Sequence, residues 1–276
     1  MKIVHINAFD SGGGAAIACA RHCEAMIQAG HEVTMLVIAK SSRLPFVKKV
    51  HQGIKKVLID LWDIQAAKLQ AKIDPIGTFS LMKHGFDFSK DRNVQDADVI
   101  FLHWVNGNAL SLNGVEDLLK LGKPVFWYMH DMFPITGGCH HALGCEGFMS
   151  DCRDCPLIKN DVCKSISSSL LRKKIRRWNK YDNLSFIAPS NWLANCAKNS
   201  SLCKGHDVFV VPNVLNVSVF KPIGIDAKKL FGLDHSKKTV LFGAASMYGA
   251  LNEAYMSRSA EKWVRGLCFN ELGVCG

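Results

Sequence analysis

Two compact apolar runs, Val99 to His103 (VIFLH) and Val125 to His130 (VFWYMH), enclose a stretch of helical character from about Asn108 to Leu121, and Gly122-Lys123-Pro124 supplies the turn into the second run. Strand, helix, strand in that order is the grammar of a parallel crossover, and unbroken apolar runs mark strands buried on both faces. Further runs at Lys2 to Asn7, Val33 to Ile38, Leu184 to Ala188 and Val208 to Val211, with a helix predicted from about Asn191 to Lys198, continue the pattern. The predicted fold class is α/β, a Rossmann-like doubly wound and mostly parallel sheet. In such a sheet, ligands gather at the carboxyl ends of the strands.

The residues at those ends are polar. The first strand passes through Asp10 and Ser11 into Gly12-Gly13-Gly14 and an alanine-rich helix. Glycines let backbone approach a ligand closely, and the first amides of a helix lack intrahelical partners, so the turn reads as a seat for a phosphate or diphosphate. A purely structural tight turn is the competing reading. Dinucleotide binding is disfavoured, because the spacing runs Gly12-x-Gly14-x-x-Ile17 and the second strand ends in Ala39-Lys40, without the third small residue or the acid that NAD or FAD sites use. The later strand ends carry His103, Trp104 and Asn106, then His130 and Asp131, then Pro189-Ser190-Asn191, then Pro212-Asn213. Two histidines at consecutive strand ends beside a phosphate-type loop favour a functional site over isolated structural groups.

At 276 residues the chain can form one large or two modest domains. It contains no apolar run of the roughly 18 to 20 residues that span a bilayer and no signal-peptide core, so a cytoplasmic location is expected. Thirty-four Lys and Arg against 24 Asp and Glu leave a formal charge of +10, which favours anionic partners. The densest basic run surrounds an amphipathic helix in which Leu171, Ile175 and Trp178 share one face and Arg172, Lys173, Arg176, Arg177 and Lys180 lie largely opposite. That face is either simply solvated or meets anionic lipid headgroups as a peripheral contact. Nucleic acid is not expected as a partner, for want of an aromatic-interleaved platform or zinc-finger spacing.

Eleven cysteines are present, five of them between Cys139 and Cys163. Cys139, Cys145, Cys152 and Cys155 are the candidate metal ligands, but only the last two form a C-x2-C pair. Structural zinc, reduced thiols without metal, and disulfides all remain open. Cys19 and Cys23 read as small buried residues of the first helix.

Four segments, HINAFDSGGGAAIACARH, HDMFPITGGCHHALGC with the following CRDCP, APSNWLANCAKNS and VPNVLNVSVFKP, resemble the N-terminal half of GT-B glycosyltransferases of family 4, in particular bacterial polysaccharide-assembly enzymes of the colanic acid type. The resembling span is about Met1 to Ala245. The resemblance implies two Rossmann-like domains facing a cleft, the N-terminal one taking the acceptor and the C-terminal one the nucleotide-sugar donor. It implies a nucleotide-sugar-dependent transferase, retaining in stereochemistry, acting in surface polysaccharide synthesis on a lipid-linked or oligosaccharide acceptor at the inner membrane face, with no cofactor required for catalysis. By residue, Gly12, Gly13 and Gly14 would approach the donor diphosphate, His130 and Asp131 would stand beside the transferred sugar, and His103 would line the acceptor side. Asn106, Ser190 and Asn213 complete the expected substrate-binding set.

Residues 1–222 are therefore expected to form the acceptor-side domain with a Cys-rich insertion at 139–163. Residues 223–238 would be a linker, and 239–276 the truncated or aberrant start of a donor domain. The basic residue that the resemblance calls for after the first strand of that donor domain has no recognisable counterpart directly after VLFGAAS. A helix N-terminus stabilises an anion by roughly 0.3–2 kcal/mol, whereas an enzyme must lower its barrier by about 8 kcal/mol or more, so weak or absent transfer by this chain is expected. A non-catalytic module binding sugar phosphates or a partner protein is the alternative.

Overall fold

The computed structural model describes residues 1–50, 79–158, 165–222 and 224–238. Among these, seven strands form one sheet in which every adjacent pair is parallel: β1 (Lys2–Ile6), β2 (Glu32–Val37), β3 (Val47–Lys49), β4 (Val99–Leu102), β5 (Val125–Tyr128), β6 (Leu184–Ala188) and β7 (Val208–Val210). Their order is β3-β2-β1-β4-β5-β6-β7. The winding reverses between β1 and β4, the switch point at which sheets of this kind open a crevice. The doubly wound parallel sheet expected from the apolar runs is the one observed. Strand β3 lies outside that expectation, because Val-Lys-Lys is too short and too charged to register as an apolar run.

The helices are α1 (Gly14–Gln28), α2 (Arg92–Gln95), α3 (Leu112–Leu119), α4 (Ser165–Trp178), α5 (Asn191–Asn199) and α6 (Ala227–Leu230). Their starts are set locally. The Ser111 hydroxyl accepts the Gly114 amide at α3, and the Ser190 hydroxyl accepts the Leu193 amide at α5, each satisfying a donor that the helix leaves free. Helix α1 instead begins after Gly13 with no side-chain cap and no acid in its first turn.

Strand side chains alternate between two cores. Val4, Ile6, Leu36, Ile100, Leu102, Trp127 and Phe186 pack with α3, α4 and α5, burying Val115, Leu118, Leu171, Trp178 and Leu193. On the opposite face Ile3, Val33, Met35, Val37, Phe101 and Tyr128 pack with Cys19 and Cys23 of α1. The first helix therefore stands alone, among the described helices, over the face that also carries His5 and His103.

In α4, Leu171 and Trp178 are buried and Arg172, Lys173 and Arg176 are exposed, as the amphipathic pattern requires. Arg177 and Lys180 reach back to Glu116 at 2.7 and 3.6 Å. Lys174, within the same basic run, is fully buried. It is held because its Nζ donates to the carbonyls of Phe133 and Thr136 at 2.5 and 3.0 Å and sits 3.7 Å above the Phe133 ring.

Backbone packing divides the chain into a unit of Met1–Asn216, which holds the sheet, and a unit of Val217–Gly276, in which α6 begins behind an Asp226 cap. The expected donor-domain start at 239–276 and Cys163 lie outside the described residues. Among the described residues, no helix is long and apolar enough to cross a membrane.

Candidate functional site

Because the strands are all parallel, the ends of β1, β4, β5, β6 and β7 open on one edge of the sheet, and the candidate residues Gly12, His103, His130, Ser190 and Asn213 follow those ends in turn. The glycine loop there is exposed, and a Cβ added to Gly12, Gly13 or Gly14 would meet nothing within 4 Å. Gly12 adopts φ +84°, a left-handed conformation that favours glycine. Asp10 anchors the loop from below. Its carboxylate accepts the Ser41 and Ser42 amides at 2.9 and 2.8 Å, and although burial pushes its pKa up, these hydrogen bonds and those of the Ser42 and Ser41 hydroxyls hold it below the usual value. Asn7 links β1 to β4 by accepting the Trp104 amide at 2.8 Å through Oδ1.

The register builds the histidine cluster. His5 on β1 pairs with Phe101 on β4, so His103, two residues on, emerges on the same face. Leu102 pairs with Trp127, which puts Tyr128 beside His103 and His130 one step further along that face. The imidazoles meet end to end: His5 Nδ1 lies 2.9 Å from His103 Nε2, and His103 Nδ1 lies 2.9 Å from His130 Nε2. Each contact holds one proton, so the tautomers of the three rings are set in step. His22 of α1 closes the group, its ring 5.1 Å from that of His5 and 6.0 Å from that of His103.

Burial lowers the pKa of all four. His5 and His103 fall well below the ordinary value, first by desolvation and then by their histidine neighbours, and His22 falls by desolvation. His130 is lowered to about 4 by desolvation, which outweighs the opposing pull of Asp131. The cluster is neutral at pH 7. His130 is the half-exposed member of the hydrogen-bonded line, and with Nε2 occupied by His103 it offers Nδ1 to a ligand.

Asp131 faces a different set of partners. One carboxylate oxygen accepts the Phe133 amide at 2.8 Å and the other lies 2.6 Å from His140 Nδ1, while His140 Nε2 lies 2.8 Å from the Ser80 hydroxyl. Both oxygens are engaged, so Asp131 orders the loop that follows β5. Asn106 is buried with Oδ1 unpartnered, whereas Ser190 and Asn213 are exposed. The Ser190 hydroxyl serves as the α5 cap.

Cys139, Cys145, Cys152 and Cys155 line one small cavity of about 20 Å³. The Gly137 and Gly147 amides donate to the sulfurs of Cys152 and Cys145 at 3.2 and 3.4 Å. Burial raises the thiols, Cys139 to about 12 and Cys152 to about 11. The four sulfurs share a cavity without converging as a three-donor set, unlike the donors around His5.

His103 and His130 stand out in the sequence at their strand ends, whereas His5, His22 and Lys174 do not. A histidine or lysine inside an otherwise apolar strand or helix face was the available signal for His5 and Lys174. The Asp131–His140–Ser80 line joins two residues nine apart in the loop after β5 to a serine 60 residues before His140.

No protein-family model matches the chain, and no curated protein does. Among solved structures the chain is similar to an alpha-glucosyltransferase in complex with UDP and a 13-mer DNA containing a HMU base, at 15% identity and a TM-score of 0.39, over 78% of this chain and 43% of that one. It is similar to Anabaena Alr3699/HepE in complex with UDP and glucose, at 13% identity and a TM-score of 0.39, over 84% and 50%. It is also similar to Phytolacca americana UGT2 complexed with UDP-2fluoro-glucose and pterostilbene, at 11% identity and a TM-score of 0.40, over 89% and 60%. The chain thus covers 43 to 60% of these structures.

Proposed function

We propose that this chain is the acceptor-side lobe of a GT-B glycosyltransferase of family 4, built to work with a nucleotide-sugar donor. The observation that carries the reading is the exposed, uncapped start of α1 at Gly12–Gly14, on the same sheet edge as a neutral His130. Strands β1 and β5 are two places apart, about 10 Å, which suits a diphosphate at the loop and the attached sugar near the imidazole. The segments that resemble the family carry the same residues.

In this reading the loop amides and the dipole of α1 hold the diphosphate, and the bare ring nitrogen of His130 orients a sugar hydroxyl. His103 holds the His130 ring, and Asp131 holds the loop behind it. Asn106 offers its unpartnered oxygen to the acceptor, while Ser190 and Asn213 lie further along the edge. Transfer is retaining, the acceptor is a lipid-linked or oligosaccharide sugar, and the setting is surface polysaccharide assembly at the cytoplasmic face of the inner membrane, with the basic outer side of α4 toward anionic headgroups. The cysteine loop has a supporting role, with or without zinc on its thiols, and no catalytic cofactor is invoked.

Calorimetric titration with a panel of nucleotide sugars, on this chain and on a version with a full donor domain restored, tests the proposal. Binding that is weak here and strong with transfer activity in the restored version is expected. A restored protein that binds no nucleotide sugar would overturn it.

A further inference from the structure

Strand β1, helix α1 and the residue that follows β4 aim nitrogen or sulfur donors at the space between β1 and α1. Among the described residues, two sets of three donors have ligand atoms lying within 4.8 Å of one another: His5, His22 and His103, and His5, Cys19 and Cys23. His5 belongs to both and is fully buried. Its Nε2 is buried with no hydrogen-bond partner, and so is Nδ1 of His22. Leaving one such atom unsatisfied in a dry interior is destabilising, and two in the same place ask for a group that would satisfy them.

We propose that His5, His22 and His103 bind one borderline-soft transition-metal ion, of the class of Zn²⁺ or Co²⁺. Imidazole suits those ions, and the thiols of Cys19 and Cys23 beside His5 reinforce the preference over hard cations such as Mg²⁺ or Ca²⁺. The scaffold is rigid, since β1 and β4 are paired through their length and His22 projects from the 15-residue helix α1. His103 uses Nε2, giving up its hydrogen bond to His5 Nδ1 when the ion binds, because its Nδ1 faces His130. Binding at Nε2 places the His103 proton on Nδ1, from which it is donated to His130. A metal ligand usually donates its other ring N–H to an outer partner in this way. The metal therefore fixes the His130 tautomer with its proton on Nδ1, and the ion is linked to the sheet edge without touching it.

The full chain, stripped with a chelator, is dialysed against Co²⁺ or Zn²⁺, and bound metal is counted and its ligands identified by X-ray absorption. One equivalent with nitrogen ligation is expected. His22→Gln, on a half-buried helical position, should weaken that equivalent by ~10-fold or more with circular dichroism unchanged, and His22→Cys should restore it with one sulfur in the shell. Metal held by sulfur alone, or nitrogen-bound metal indifferent to His22→Gln, overturns the proposal. Should either variant misfold, ring resonances of the wild-type histidines on Zn²⁺ addition decide it: movement of His5, His22 and His103 supports the site, and unmoved resonances reject it. All of these readouts are independent of sugar transfer.

Discussion

Asp131 Oδ2 lies 2.6 Å from His140 Nδ1, and the same imidazole reaches the Ser80 hydroxyl through Nε2. An acid that immediately follows His130 in the chain is thus spent on the architecture of the loop. The His140 ring is also stacked with aromatics, lying 6.1 Å from the Trp104 ring and 5.3 Å from the Phe133 ring.

Asp131→Asn keeps the shape but removes the charge and misplaces one donor. A destabilisation of about 2 kcal/mol is expected, the scale of a broken charged hydrogen bond in a nearly buried setting. Urea unfolding would measure it, and an unchanged midpoint would mean that the pair contributes nothing.

Lys174 makes stability depend on pH. Burial lowers its pKa to about 7, against the pull of Cys139, Cys152 and Asp131 in the other direction, whereas an unfolded lysine titrates near 10.4. Between those values the unfolded chain binds the extra proton, so this group's contribution to stability rises as pH rises from about 7. From pH 6.5 to 8 the wild type should gain about 1 kcal/mol relative to Lys174→Met, read by denaturant unfolding at each pH. Parallel profiles for the two proteins would contradict this.

Two glycines are fixed by close approach. A Cβ on Gly85 would come within 2.4 Å of the Leu110 carbonyl carbon and the Ser111 amide nitrogen, and one on Gly137 within 2.4 Å of the Ser167 carbonyl oxygen. Backbone must move in each case, so Gly85→Ala and Gly137→Ala should each cost about 1–3 kcal/mol in unfolding experiments. Gly14→Ala meets open space and should leave the midpoint within about 1 kcal/mol of the wild type.

Metal content bears on the cysteine loop separately from the histidine cluster. If zinc sits on the loop thiols, binding must release protons, because ligation needs thiolates and these thiols are raised by burial. Calorimetry in buffers of different ionisation enthalpy would count them. A sulfur-ligated zinc with proton release supports a structural metal in the loop, and a folded protein without one leaves reduced thiols.

Much of the sheet was legible because its strands are short apolar runs between helical stretches. Leu184 to Ala188 matches β6 residue for residue, and the other expected strands differ from the observed ones by one or two residues at an end. The observed strands end at Ile6, Val37, Leu102, Tyr128 and Val210, each within two residues of the expected end. The candidate site was legible only in outline. The strand ends announced His103 and His130, but the partner of His103 at its other nitrogen is His5, which is 98 residues away in sequence and sits inside a strand. The pairing follows from the β1–β4 register, and register between distant strands is written in no local pattern. Lys174 was invisible for a similar reason, since its two carbonyl partners belong to a turn 38 and 41 residues earlier.

In the proposed reading, a diphosphate seated at Gly12–Gly14 is felt at His130. The most direct measurement is an amide and imidazole NMR titration of the chain with a nucleoside diphosphate. Shifts centred on Gly12, Gly13, Gly14 and the His130 ring are expected, with affinity reduced at least ~10-fold by Gly14→Ala. Saturable shifts confined to another part of the sheet, or none at millimolar ligand, would contradict it.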